Sequence, residues 1–172
     1  MTASTAVAPP PAPITIAPPP IEEPTPARGP RGHATNRWLV LVLVCAAQFM
    51  VGLDATIVNV ALPAIQTDLG FDTANLQWVI NGYTLLFGGF LLLGGRAADL
   101  FGRKKLFLIG ITLFTTSSLL VGLSSSQETL ILFRALQGLG AALVSPAALS
   151  IITTTFAEGA ERTKALAAWG AI

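Results

Sequence analysis

The sequence predicts an all-α polytopic membrane protein with four complete membrane-spanning helices and the start of a fifth. Of the 172 residues, 52% are apolar and only 11% are charged, and the mean hydropathy is +0.67. Soluble domains carry about 25% charged residues, so the composition argues against an ordinary soluble protein. The apolar runs are continuous over about 20 residues, the length of a spanning helix, and they lack the alternation that barrel strands need.

The first 36 residues differ from the rest of the chain. They hold ten of the twelve prolines and almost no large apolar side chains. Proline-rich segments of this kind favour extended conformations and cannot bury a core. We therefore expect residues 1–36 to form a disordered cytoplasmic tail, and residues 37–172 to form the transmembrane domain.

The spans are bounded by recognisable start and stop signals. Pro63 is expected to end the first span, and Asp72 or Thr73 to cap the second. Ser125 and Glu128 have capping-box spacing before the fourth. The four spans are predicted over residues 38–62, 76–95, 106–123 and 129–152, and a fifth helix is predicted to begin at about residue 163.

The basic residues indicate the orientation in the membrane. Nine of the ten Lys and Arg residues lie before the first span, between the second and third, or after the fourth. Because cytoplasmic loops carry the excess of positive charge, the N-terminus is predicted to be cytoplasmic, in a plasma membrane. The net charge is only +1, and the longest basic run is Arg103-Lys104-Lys105, so nothing indicates nucleic acid as a partner.

Two ionisable residues, Asp54 and Arg134, lie inside predicted spans. Such a charge costs about 2.5–3.5 kcal/mol at the bilayer centre on insertion scales. At about 1.5 Å per residue, both lie at similar depths from the outer membrane edge, so they are expected to pair. One interpretation is that Asp54 carries a proton or faces a cationic substrate with Arg134 as its partner. The other is a structural ion pair that orients two helices.

Other polar side chains within the spans are weaker signals. Gln48 and Asn59 in the first span, Asn81 in the second and Gln137 in the fourth are candidates to line a cavity, and interhelical hydrogen bonding is an equal alternative. The single Cys45 can form neither an internal disulfide nor a zinc site alone. No Ser/His/Asp set, HExxH motif or P-loop is present. We therefore expect no enzyme activity, no metal site and no cofactor.

The connection between the second and third spans has specific spacing. Gly95 allows close backbone approach at the helix end, and Gly102 permits a tight turn. Asp99 and Arg103 are four residues apart and would pair if the connection were helical. The run from Gly95 to Lys105 resembles the loop motif of the major facilitator superfamily, with one departure at Leu100, where a basic residue is usual.

Two further segments resemble motifs of the same superfamily. Residues 53–63 (LDATIVNVALP) resemble the first-span motif of its fourteen-span drug:proton antiporters. Residues 132–142 (LFRALQGLGAA) resemble the fourth-span motif of its proton-coupled exporters. The three motifs stand at the mutual spacing that the superfamily has, so the resemblance extends over residues 38–172 and does not cover the tail.

This resemblance implies a bacterial multidrug efflux protein that exports lipophilic or cationic small molecules by alternating access. The proton gradient would be the energy source, with Asp54 and Arg134 coupling protonation to conformational change. Charged residues of the loop motif would form a cytoplasmic gate that holds the two halves of the transporter together. The chain would be an N-terminal fragment, and its partner would be the missing C-terminal half. The alternative is a non-transporting or degenerate membrane protein, such as a sensor or subunit. The implied gate residues are Gly95, Asp99, Gly102, Arg103 and Lys104.

Overall fold

The structure is a computed structural model that describes residues 36–172, so the predicted tail lies outside the described residues except for Asn36. Within this range all regular secondary structure is helical, and four of the helices are long and apolar enough to cross a membrane. The predicted all-α polytopic membrane fold is therefore confirmed. The helices are α1 (Arg37–Leu69), α2 (Thr73–Phe101), α3 (Arg103–Gly122), α4 (Gln127–Thr155) and α5 (Ala160–Gly170).

Polar side chains cap the starts of α2 and α4. The sequence predicted Asp72 or Thr73 as the N-cap of the second span. In the structure the cap of α2 is Asp72, whose carboxylate accepts a hydrogen bond from the Asn75 backbone N–H at 2.6 Å. For α4 the predicted cap was wrong by one residue: Ser126, not Ser125, accepts from the Thr129 N–H at 3.3 Å. Ser126 has the extended backbone that a cap requires, and from that position its hydroxyl reaches three residues ahead.

Pro63 does not end the first helix, contrary to the prediction. α1 continues through it to Leu69. A proline inside a helix removes one N–H donor, and the surrounding turns persist, with the Thr67 hydroxyl donating to the Pro63 carbonyl at 3.0 Å. The helix ends instead at Gly70, whose φ of 65° is the left-handed conformation that terminates helices.

The predicted loop between the second and third spans is also helical. α2 extends to Phe101, α3 starts at Arg103, and Gly102 alone joins them. Gly102 has a φ of 97°, a conformation that a residue with a Cβ rarely adopts. A glycine at this position therefore lets two long helices meet in a sharp turn without a connecting loop.

α4 lies at the centre of the bundle and packs most extensively against α2 and α3. Its contact with α2 is at backbone distance, because a Cβ on Gly138 would collide with the Tyr83 carbonyl and a Cβ on Gly94 with the Ala142 carbonyl. Gly94 rather than the predicted Gly95 makes the close contact; a Cβ on Gly95 would meet only the Pro146 side chain, at 3.6 Å. Small residues thus permit two membrane helices to approach closely.

One end of the bundle is rich in basic residues. The Arg37 guanidinium donates to the Glu161 carboxylate at 2.7 Å, and the Trp38 and Phe156 rings lie 5.6 Å apart, edge to face. Lys104, next to the α2–α3 turn, lines the same groove as residues near the start of α1 and the end of α4. The start of α1, the α2–α3 turn and the start of α5 therefore lie at one end.

The opposite end holds the other two turns. The Gln127 side-chain amide donates to the carbonyls of Leu69 and Gly70 at 3.1 and 3.0 Å, and so ties the start of α4 to the α1–α2 turn. α1 to α4 therefore alternate in direction. This arrangement places the middle of α1 beside the first half of α4.

Candidate functional site

Asp54 of α1 and Arg134 of α4 form a salt bridge in the interior of the bundle. Arg134 Nη1 donates to Asp54 Oδ2 at 2.7 Å. The Arg134 side chain is 3% exposed and that of Asp54 is 12% exposed. The predicted contact is present, while the role of the pair in proton coupling stays a prediction.

Gln137 completes the cluster. Its Nε2 donates to Asp54 Oδ1 at 2.7 Å, and its Oε1 accepts from Arg134 Nη1 at 2.8 Å. The sequence suggested that Gln137 lines a cavity. The residue is only 1% exposed and is bonded to both members of the ion pair, so it lies within the cluster. The sequence signal for the contact between Gln137 and Arg134 is their spacing, because a residue three positions after Arg134 lies on the same helix face.

α2 contributes the remaining contacts of the arginine. Arg134 Nε donates to the Val79 backbone carbonyl at 3.2 Å, and its guanidinium lies 4.5 Å from the centre of the Tyr83 ring. A cation over an aromatic face is stabilised by the ring's negative charge density. The sequence analysis identified neither contact: no side chain marks the Val79 carbonyl as an acceptor, and the spacing within α2 does not show which helix the Tyr83 ring faces.

A groove of about 530 Å³ lies between α1 and α3 beside the cluster. Asp54 is the one charged residue in its wall, and Thr115 and Ser118 of α3 are polar residues that also line it. The carboxyl of Asp54 therefore has an approach from outside the bundle, whereas the guanidinium of Arg134 is enclosed. The rest of the wall is apolar or glycine: Met50, Leu53, Ile57, Phe114, Leu119, Gly122 and Leu123.

The other candidate cavity residues are not brought together. Gln48 accepts a hydrogen bond from the Ser145 hydroxyl at 3.3 Å. Asn59 is exposed and donates to the Ala55 carbonyl of its own helix at 2.7 Å, and Asn81 is exposed on α2. None of the three contacts the Asp54 cluster through a hydrogen bond among the described residues.

The predicted gate residues lie at the basic end. Arg103 Nη2 and the Asp99 carboxylate are 3.7 Å apart across the α2–α3 turn, as expected for residues four apart, and both side chains are more than a third exposed. Gly102 forms the turn itself. The structure thus shows a local, solvent-exposed ion pair, and its role as a gate stays a prediction.

Residues 36–172 hold no cluster of metal-ligating side chains. No three His, Cys, Asp or Glu side chains in this range lie together in a way that could hold a metal ion. Cys45 is a free, half-buried thiol on α1. The chemistry of the described residues therefore centres on the Asp54 cluster.

Comparison with known proteins points to one family. Residues 44–172 match the model of the Major Facilitator Superfamily. The chain is 52% identical over 142 residues to the puromycin resistance protein pur8 of Streptomyces alboniger, covering 83% of this chain and 28% of the relative. It is 52% identical over 126 residues to the cephamycin export protein CmcT of Amycolatopsis lactamdurans, covering 73% and 26%.

A third relative is the tetracenomycin C resistance and export protein of Streptomyces glaucescens, with 43% identity over 135 residues, 78% of this chain and 24% of the relative. The chain thus spans about a quarter of the length of these curated relatives. The names of these relatives concern resistance to, or export of, small organic antibiotics.

Proposed function

Because the chain belongs to the Major Facilitator Superfamily, we propose that it supplies the first helices of a proton-coupled exporter of drugs or small metabolites. The three relatives described above are named as antibiotic resistance or export proteins. The chain spans about a quarter of their length, and transporters of this kind bind substrate between two multi-helix halves. The substrate site therefore requires a C-terminal half, with lipophilic or cationic small molecules as the substrate class.

The buried Asp54–Arg134–Gln137 cluster is the observation that carries this proposal. Ionisable groups within a membrane are costly and usually mark ion or substrate pathways. Here the guanidinium is enclosed on every side by Asp54, Gln137, the Val79 carbonyl and the Tyr83 ring. Arginine keeps its charge under all ordinary conditions, so Asp54 is the member that exchanges a proton.

The groove between α1 and α3 gives that proton a route to Asp54. When Asp54 is ionised, its carboxylate binds α4 through Arg134 and Gln137. When it is protonated, the charge attraction to Arg134 is lost, and α1 is free to move relative to α4. Proton binding is thereby linked to alternating access, in which one part of the transporter rocks against another.

The exposed Asp99–Arg103 pair, with Gly95, Gly102 and Lys104, forms the proposed cytoplasmic gate. Its charges lie at the end of the bundle where the basic residues of the described chain other than Arg134 also lie. Exposed charges at this position are free to pair with groups on the C-terminal half. We place this end, and the N-terminus, on the cytoplasmic side of a bacterial plasma membrane.

This orientation is testable with single cysteines in a Cys45→Ser background. A membrane-impermeant maleimide is expected to label Ser125→Cys, in the α3–α4 turn, in intact cells. It is expected to label Ala157→Cys, between α4 and α5, only after the cells are permeabilised, because the positively charged end stays in the cytoplasm. The reverse labelling pattern would show that the proposed orientation is wrong.

The proton-carrier role is tested by Asp54→Asn in the complete transporter that contains this chain. In proteoliposomes with an imposed proton gradient, we expect the variant to lose proton-driven substrate movement to the level of protein-free vesicles. The matched control is Asp68→Asn, which neutralises an exposed acid on the same helix. Transport by Asp54→Asn at the wild-type rate would exclude Asp54 as the carrier.

A further inference from the structure

Gln137 closes a ring of hydrogen bonds with the ion pair. Arg134 Nη1 donates to both Asp54 Oδ2 and Gln137 Oε1, and Gln137 Nε2 donates to Asp54 Oδ1. Arginine has donors only, and an ionised carboxylate has acceptors only. The amide therefore satisfies both partners in a single orientation, with its oxygen toward Arg134 and its nitrogen toward Asp54.

Protonation of Asp54 changes the hydrogen-bond partner that its carboxyl group requires. The protonated group carries an O–H donor that requires an acceptor, and Arg134 has none to offer. The Val79 carbonyl is already bonded to Arg134 Nε. Among the groups in the ring, the Gln137 amide oxygen is the acceptor that a protonated Asp54 can donate to, and it now faces Arg134.

We propose that Gln137 is a positioning residue that holds Asp54 in both protonation states by turning its side-chain amide. When Asp54 takes up a proton from the aqueous phase, the amide rotates so that its oxygen accepts from the new carboxyl O–H. Its NH2 group then faces Arg134 Nη1, a donor against a donor. With the proton on Oδ1, the Asp54 Oδ2 atom still accepts from Arg134 Nη1, but without the carboxylate charge. Protonation thereby breaks the Gln137–Arg134 hydrogen bond and weakens the Asp54–Arg134 contact, where loss of the carboxylate charge alone would weaken only the second.

The surroundings of Asp54 leave this role to Gln137. The charged or titratable groups that face Asp54 are Arg134 from α4 and the Tyr83 phenol from α2, while α3 contributes only the polar residues Thr115 and Ser118 to the groove wall. Gln137 is fully buried and lies one helical turn from Arg134. The amide therefore connects proton binding on α1 to the position of the arginine on α4. This inference rests on the proposed function, in which Asp54 is the proton carrier.

Infrared spectroscopy of the complete transporter that contains this chain, in lipid nanodiscs, tests the amide directly. With the side-chain carbonyl of glutamine labelled with carbon-13, we expect one glutamine band to shift when the Asp54 carboxyl titrates, at the same pH midpoint. The band is assigned by its absence in Gln137→Leu. The shift of this band should be lost in Asp54→Asn. It should be retained in Gln77→Leu, which removes an exposed amide on α2, a different helix from that of Gln137.

Transport kinetics of the complete transporter give a second readout. Losing hydrogen bonds to charged groups costs roughly tenfold or more in an equilibrium, so Gln137→Leu is expected to lower kcat about tenfold with KM changed less than about twofold. Gln137→Asn, whose amide is one methylene too short to bridge both partners, should behave like the leucine variant. Gln77→Leu should transport at the wild-type rate.

The outcomes separate this inference from the proposed function. If Asp54 titrates and Asp54→Asn is inactive, but the Gln137 band does not move, the amide does not turn and the inference is overturned while the proton-carrier role stands. If Gln137→Leu lost about as much kcat/KM but the whole loss came from a higher KM, the inference would also be overturned. If Asp54 stays ionised across the whole accessible pH range, both the inference and the carrier role fail.

Discussion

Replacing Arg134 by leucine is expected to abolish proton-driven transport and to destabilise the helix bundle by about 3–5 kcal/mol. The change leaves the Asp54 carboxylate, 12% exposed, without its buried counter-charge, and also removes the hydrogen bonds to Gln137 and the Val79 carbonyl. Breaking one partner of a buried pair costs more than the pair contributes, because the remaining charge is uncompensated. Thermal unfolding of the purified protein and proteoliposome transport provide the two measurements.

A double variant distinguishes structure from function at this pair. Asp54→Asn combined with Arg134→Leu removes both charges, so we expect much of the lost stability to return while proton-driven transport stays absent. Lys105→Leu is the control, because it removes an exposed positive charge at the basic end and should change stability by less than about 0.5 kcal/mol. If the double variant were as unstable as Arg134→Leu, the destabilisation would not come from the unpaired carboxylate.

Replacing Gly138 by leucine is expected to disrupt the contact between α2 and α4. Even a Cβ at this position would collide with the backbone carbonyl of Tyr83, and a backbone group cannot rotate away as a side chain can. Overpacking typically costs about 1–3 kcal/mol and occasionally more, and we expect the upper end of that range or beyond. Because Tyr83 also carries the ring beneath Arg134, the displaced helix would disturb the ion-pair cluster too.

The matched control for this change is Gly88→Leu on α2. Gly88 is exposed, and a Cβ there would meet no neighbouring atom within 4 Å. Its substitution should change the free energy of unfolding by less than about 0.5 kcal/mol. Equal melting temperatures for Gly138→Leu and Gly88→Leu would show that the close helix contact does not limit stability.

The pairing of Asp54 with Arg134 could be expected from the sequence because depth along a membrane helix is nearly proportional to residue number. The contact of Gln137 with both Asp54 and Arg134 could not be expected from the sequence. Periodicity shows which residues share a helix face, but not which neighbouring helix that face contacts. The sequence placed Gln137 on the face that carries Arg134. The structure alone showed that α1 brings its carboxylate to this face.

The predicted helix boundaries failed where local signals compete with the rest of the fold. Pro63 is a helix breaker by its chemistry, yet α1 continues because a single missing donor is tolerated within a long helix. The charged stretch after Gly95 was assigned to a loop, yet α2 continues to Phe101 beyond its apolar part. Hydropathy marks where a chain lies in the membrane, whereas a helix ends where the backbone turns, here at Gly70 and Gly102.

By itself the sequence determined that this protein is a helical membrane protein, which family it resembles and which two charges lie within its spans. These properties depend on composition and on spacing along one helix, and both can be counted directly. Only the tertiary structure decided that α4 is central, that Gly94 and Gly138 bring α2 against it, and that Gln137 joins the ion pair. The physical reason is that distances between helices depend on the shapes of both facing surfaces, which no single segment contains.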